Sequence, residues 1–171
     1  PEDLCLFENL TAREYLTFIG RMHLMDRDVI KRRQEELLEL MGLADSDKTL
    51  VIEFSHGMKK KLSLAAALIH DPDLLFLDEP FEGIDAVASR MIKNLLASLI
   101  DRGVTIFLTS HILEIVENLC TQVGIIHKGR LVTEGVVDDL ADGGSLEKVF
   151  VEAVGVPEQQ DTVLSWLGEN G

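Results

Sequence analysis

Cysteine, proline and aromatic residues are all scarce in this chain. Its two cysteines, Cys5 and Cys120, stand far apart, which excludes a dense disulfide framework and offers no metal-ligand spacing. Four prolines and no low-complexity tract set it apart from fibrous and disordered chains. No apolar run approaches the roughly 20 residues that a membrane span needs. The longest, residues 62–69, is interrupted by Ser63 and fits a core helix. No charged-then-apolar leader points to secretion, and a reduced, cytosolic setting is expected. Positive charge is short as well. Lys and Arg number 16 against 30 Asp and Glu, a formal net charge of −14, which argues against a nucleic-acid surface.

The 171 residues, 46% apolar and 27% charged, suffice for one ordinary domain with a sizeable core. The acidity is uneven: residues 132–171 hold nine acids against Lys148 alone. That stretch predicts a solvated acidic appendage.

Helical and strand patterns alternate along the chain, which argues for an α/β fold with a parallel sheet. Thr11-Ala-Arg-Glu14 reads as a capping box, opening a helix with Tyr15, Phe18, Ile19 and Met22 at helical spacing. A second helix follows Asp26 and stops at Gly42. Ser55 stands where an N-cap should be, ahead of a helix over residues 56–70 that Asp71-Pro72 ends. The pattern continues with a strand at 74–77, a helix at 86–100 closed by Gly103 and a strand at 104–109. A helix at 112–120 and two strands joined by Lys128-Gly129-Arg130 complete it. Further helical patterns start at Leu146 and at Val163.

The most informative stretch is Leu74-Leu75-Phe76-Leu77-Asp78-Glu79-Pro80. A buried strand ending abruptly in two carboxylates places them at the sheet's carboxyl edge, where open α/β sheets hold ligands. One carboxylate can hold magnesium through water while its neighbour orients or deprotonates an attacking water. Upstream lies Phe54-Ser55-His56-Gly57-Met58; downstream come Gly83-Ile84-Asp85 and a second apolar strand ending in Ser110-His111. A helix N-terminus at Ser55 offers unpaired amides and partial positive charge to a phosphate, and Gly57 lets the backbone approach such a ligand.

In this order the motifs resemble those of the ATP-binding cassette (ABC) ATPases, over residues 1–135 and more weakly to about 155. The resemblance implies the C-terminal part of a P-loop NTPase cassette, a parallel sheet with flanking helices plus an α-helical subdomain. Residues 1–10 would be a lid remnant and 11–53 the helical subdomain, which in the family receives a short helix from a transmembrane partner. Residues 54–135 would hold the signature motif and catalytic core, and 136–171 the acidic extension. By resemblance, Asp78 holds Mg2+ through its water shell, Glu79 polarises the attacking water, and His111 bonds the γ-phosphate of ATP. Ser55, His56 and Gly57 would face nucleotide held by the opposite subunit of a head-to-tail dimer, with Asp85 at the dimer boundary. Glu2 stands at the lid position, where the family carries glutamine, and would add an oxygen ligand for magnesium.

The chain departs from the family's commonest signature, Leu-Ser-Gly-Gly-Gln, at Phe54, His56 and Met58. Met58 cannot hydrogen-bond as glutamine does, and His56 either adds a donor or merely caps the helix. A cassette also needs a Gly-x4-Gly-Lys-Ser/Thr cradle for phosphate. The nearest imitation, Gly124 to Gly129, lacks the lysine and hydroxyl. The expectation is therefore a C-terminal part of a longer subunit, inactive alone. The whole would be an ATPase bound to a transmembrane permease at the inner face of the cell membrane, working as a homo- or heterodimer without nucleic acid. Residues 145–152 are similar to the closing helix of export-type multidrug cassettes. A soluble, non-transport cassette ATPase and a degenerate cassette paired with an active partner are the alternative expectations.

Overall fold

The computed structural model describes residues 4–46, 48–141 and 144–155. The chain divides into two compact units, residues 1–111 and 112–171. The first contains α1 (Ala12–Met22), α2 (Arg27–Leu40), α3 (His56–Leu68), β1 (Leu74–Asp78), α4 (Ala86–Asp101) and β2 (Thr105–Thr109). The second contains α5 (Leu113–Leu119), β3 (Gln122–His127), β4 (Arg130–Val136), α6 (Val137–Ala141) and α7 (Leu146–Val154).

In the first unit α1 begins on the expected capping box: Glu14 N donates to Thr11 Oγ1 at 3.3 Å, and Thr11 N to Glu14 Oε2 at 2.9 Å. It packs on α2 where Gly20 meets Ile30; a Cβ at Gly20 would stand 2.7 Å from Ile30 Cγ1. Leu16 and Leu38 are buried to 1% exposure or less, each contributing about 1.5–3 kcal/mol. The nearby Arg13–Glu35 pair, 3.9 Å apart and partly exposed, contributes about 0–1 kcal/mol. Packing therefore decides how the two helices sit. Met41, Leu43, Val51, Leu62 and Ile69 are likewise buried to 1% exposure or less.

Helix α4 ends in a Schellman motif, with Val104 N donating to Leu99 O and Gly103 N to Ile100 O. Gly103 sits at φ +90°, a conformation that favours glycine, and it turns the chain directly into β2. Strands β1 and β2 then pair in parallel, Leu75 opposite Ile106 and Asp78 opposite Thr109, as the sequence predicts. The run 74–77 was expected to be buried. Only Leu75 is; Leu74 and Phe76 are 50% and 69% exposed. Successive side chains point to opposite faces, and Leu74, Phe76 and Phe107 lie on the face that meets solvent.

In the second unit β3 and β4 form an antiparallel hairpin with a bulge at Ile125/Ile126, turning through Lys128 and Gly129, both at positive φ. That is the two-residue turn whose twist suits a hairpin. Among the described residues, parallel pairing is confined to β1 and β2. Val137 and Leu146 are buried with Val116, and Leu140 packs against them, while Asp138 and Asp139 stay exposed. Charge alone suggested a solvated appendage over residues 132–171, but through residue 155 the chain forms the end of β4, then α6 and α7, inside this unit. Their alternating apolar side chains, not their net charge, decide the packing. The predicted helix around Val163 and the lid position Glu2 lie outside the described residues.

Candidate functional site

The parallel pairing of β1 and β2 brings three sequence-predicted residues to one sheet edge. Asp78 ends β1, and its Oδ1 accepts a 2.5 Å hydrogen bond from Thr109 Oγ1 at the end of β2. Glu79 follows, its amide donating toward both the carbonyl and the hydroxyl of Thr109, each at 3.2 Å. Glu79 Oε2 lies 3.0 Å from His111 Nδ1. The hydrogen bond that the imidazole donates to the Glu79 carboxylate, then the negative charge of that carboxylate, holds the His111 pKa above the ordinary histidine value.

Glu79 adopts φ +44°, uncommon for a residue with a side chain and worth roughly 1–3 kcal/mol of strain when imposed by surroundings. Its carbonyl is fixed from two sides, accepting from Glu82 N at 3.2 Å and from Lys60 Nζ at 2.9 Å. Lys60 belongs to α3 and is only 8% exposed.

A second cluster forms at the start of α3. Ser55 caps the helix, its Oγ accepting from Met58 N at 3.3 Å. His56, left open between donor and cap, does not cap; Ser55 does. The His56 ring lies over Gly83, where a Cβ would stand 3.0 Å from His56 Cδ2. Gly83 also sits at φ +67°, so both space and conformation call for glycine there. Gly57 faces the Gly83 carbonyl, 3.7 Å from where its own Cβ would be. Asp85 caps α4, accepting from Val87 N and Ala88 N at 3.0 and 2.9 Å. The Ala88 amide is the main reason its carboxyl pKa is lowered.

Asp78, Glu79 and His111 thus meet at one edge, while His56 and Gly57, next to the Ser55 cap, meet the Gly83 loop. Sequence reasoning gave no role to Thr109 or Lys60. A hydroxyl closing the strand opposite Asp78 was the available signal for Thr109. A lysine inside the first turns of a capped helix gives no comparable signal, because its burial depends on tertiary packing. A separate groove of about 560 Å³ lies between α1 and α2, lined by Arg13, Arg21, Arg27, Lys31 and Gln34 among others. It contains none of the predicted site residues.

The ABC transporter family matches residues 1–82. The chain is 39% identical over 140 residues to the linearmycin resistance ATP-binding protein LnrL of Bacillus subtilis (strain 168), covering 82% of this chain and 45% of that protein. It is 43% identical over 135 residues to the bacitracin transport ATP-binding protein BcrA of Bacillus licheniformis, covering 78% and 43%. It is 44% identical over 133 residues to the Nod factor export ATP-binding protein I of Rhizobium leguminosarum bv. viciae, covering 75% and 43%. The chain thus spans about half the length of the curated relatives it matches. Among solved structures, an ATP-binding subunit of an ABC transporter superposes with a TM-score of 0.83 at 31% identity, covering 90% of this chain and 66% of the other. With the acidic pair, its histidine and the capped glycine-containing helix in the predicted order on a matching fold, the chain belongs to the family of ABC transporter ATP-binding proteins.

Proposed function

We propose that this chain supplies the signature helix and the catalytic carboxylate of a nucleotide-binding subunit that couples ATP binding and hydrolysis to transport across a membrane. The observation that carries the reading is the Glu79–His111 contact at 3.0 Å, beside Asp78 at the carboxyl edge of two parallel strands. Ligands of open α/β sheets bind at that edge.

The donor set fits the cation the family implies. Asp78 is an exposed single carboxylate with one oxygen held by Thr109. Among the described residues no group of three or more ligating side chains gathers. One carboxylate without a protein cage suits magnesium, which keeps several waters and binds substrate phosphates. Asp78 would hold it, with Glu2 as a second oxygen donor. When bound, magnesium–ATP supplies the transferable phosphoryl group and neutralises charge on its oxygens.

The chain's own residues do the rest. Glu79 takes a proton from the attacking water through a carboxylate oxygen, a role typically contributing about 10²–10⁴ in rate. His111, tied to Glu79 through Nδ1, keeps Nε2 for a γ-phosphate oxygen. Ser55 and Gly57 present the amide-rich start of α3 to a phosphate, in a head-to-tail dimer to nucleotide on the opposite subunit. Asp85, at the start of α4, lies at that dimer boundary. The implied partners are a second cassette and a transmembrane permease, which would hold the subunit at the inner face of the membrane. Among the described residues no helix is long and apolar enough to cross a membrane.

The test is ATP turnover by the full-length protein carrying Glu79→Gln. Turnover should fall by about 10²–10⁴ while ATP binding persists. A rate within about tenfold of wild type would mean that Glu79 is not the base.

A further inference from the structure

Lys60 has no part in the reading above, yet it is among the most constrained polar residues of the first unit. It is one of two buried polar or charged side chains among the described residues, the other being Gln34. Gln34 answers Thr17 across the α1–α2 contact at 2.9 Å. The Lys60 ammonium instead reaches the Glu79 carbonyl at 2.9 Å, with Glu82 Oε2 at 3.9 Å. A buried lysine head without partners is strongly disfavoured, so this bond both satisfies Lys60 and fixes the peptide that follows Glu79.

That peptide is the one whose orientation matters. At φ +44° the Glu79 backbone is held away from the usual basins, and such strain persists only where surroundings over-determine it. Three anchors do so: the Thr109 carbonyl and hydroxyl on the amide, the Glu82 amide on the carbonyl, and Lys60 on the same carbonyl. Thr109 belongs to the adjacent strand and Glu82 to the same turn. Lys60 alone comes from α3, the helix that Ser55 caps.

We infer that Lys60 is a positioning residue, holding the Glu79 peptide so that the carboxylate stays against His111 and tying the signature helix to the catalytic edge of its own subunit. This rests on the proposed role of Glu79 but adds a residue and a linkage to it. A helix that engaged a phosphate at its Ser55 end would move with its Lys60 bond, so displacement of α3 would be felt at Glu79 in the same chain.

The experiment compares Lys60→Met, which keeps stem length but removes the donor, with Lys60→Arg, which restores one. In the full-length protein Lys60→Met should lower kcat by about 10²-fold, the loss expected from misplacing a reacting group by roughly 1 Å, with ATP affinity unchanged. Lys60→Arg should recover most of it. Independently of activity, the His111 imidazole resonance in proton–nitrogen NMR spectra should move in Lys60→Met toward its position in Glu79→Gln, and return in Lys60→Arg. If Lys60→Met does not fold, Lys60→Gln, whose shorter head cannot span 2.9 Å to the same carbonyl without movement, makes the same comparison. Folded variants with wild-type kcat and an unmoved His111 resonance would overturn the inference. Retained turnover in Glu79→Gln would instead overturn the reading of Glu79 itself, so the two failures are distinguishable.

Discussion

At the scale of single residues, the site is defined by what each side chain is bonded to. His111 is well exposed, and the Glu79 carboxylate raises its pKa, by hydrogen bond first and by charge second. A protonated imidazole is therefore favoured in the fold. Its contribution to stability is full below the unfolded-state pKa and fades as pH rises through the higher folded-state value. Exposure screens that contribution, so the clearer readout is the titration itself. An NMR titration of His111 should give a midpoint above the ordinary histidine value, and Glu79→Gln should bring it down. A midpoint insensitive to Glu79→Gln would mean that the 3.0 Å contact does not persist in solution. Asp85 shifts the other way, its carboxyl pKa lowered by the α4 amides. Its capping contribution is present above the unfolded-state pKa and lost as pH falls through the folded-state value.

At the scale of elements, helix placement depends on a few close approaches. Replacing Gly20 with Ala should gain about 1 kcal/mol of helix propensity but force a methyl to 2.7 Å from Ile30 Cγ1. Ile30 is β-branched and 3% exposed, and three of its side-chain atoms would crowd the new methyl, so overpacking of about 1–3 kcal/mol outweighs the gain. Gly20→Ala should therefore lower the urea midpoint in the wild-type background and cease to do so when Ile30 is Ala. A double-mutant cycle with no coupling would show that α1 and α2 do not pack there. Much of this level was legible beforehand. The Thr11–Glu14 box, the Ser55 cap, and the Gly42 and Gly103 stops all act within a turn of where the sequence shows them. Helix α6 was missed because five residues are too few to display a helical period.

At the scale of the whole molecule, opposing surface terms set behaviour in solution. Phe76 and Phe107, paired across β1 and β2 with ring centroids 5.7 Å apart, are 69% and 61% exposed beside half-exposed Leu74. An open apolar sheet face favours self-association. The net charge of −14 opposes it, but at 0.1 M salt repulsion is screened beyond about 10 Å, whereas apolar contact is not. The 171-residue chain should therefore associate increasingly with added salt. Phe107→Lys should suppress this, as read by light scattering. A wild-type chain that stays monomeric across that salt range would show that the face does not drive association.

The sequence by itself determined the order of elements, their caps and turns, and the ordered appearance of Asp78, Glu79 and His111. Those features rest on interactions between residues no more than a few positions apart, or on motif order along one line. Tertiary structure decided which groups touch. Lys60 reaches a carbonyl 19 positions away, and Thr109 a carboxylate 31 positions away. These meetings follow from one register of β1 on β2 and from the seating of α3. A slip of one residue in that register would turn Asp78 or Thr109 to the opposite face. The left-handed turn at Glu79 has the same origin, because no local preference of glutamate selects it and four hydrogen bonds to Thr109, Glu82 and Lys60 impose it.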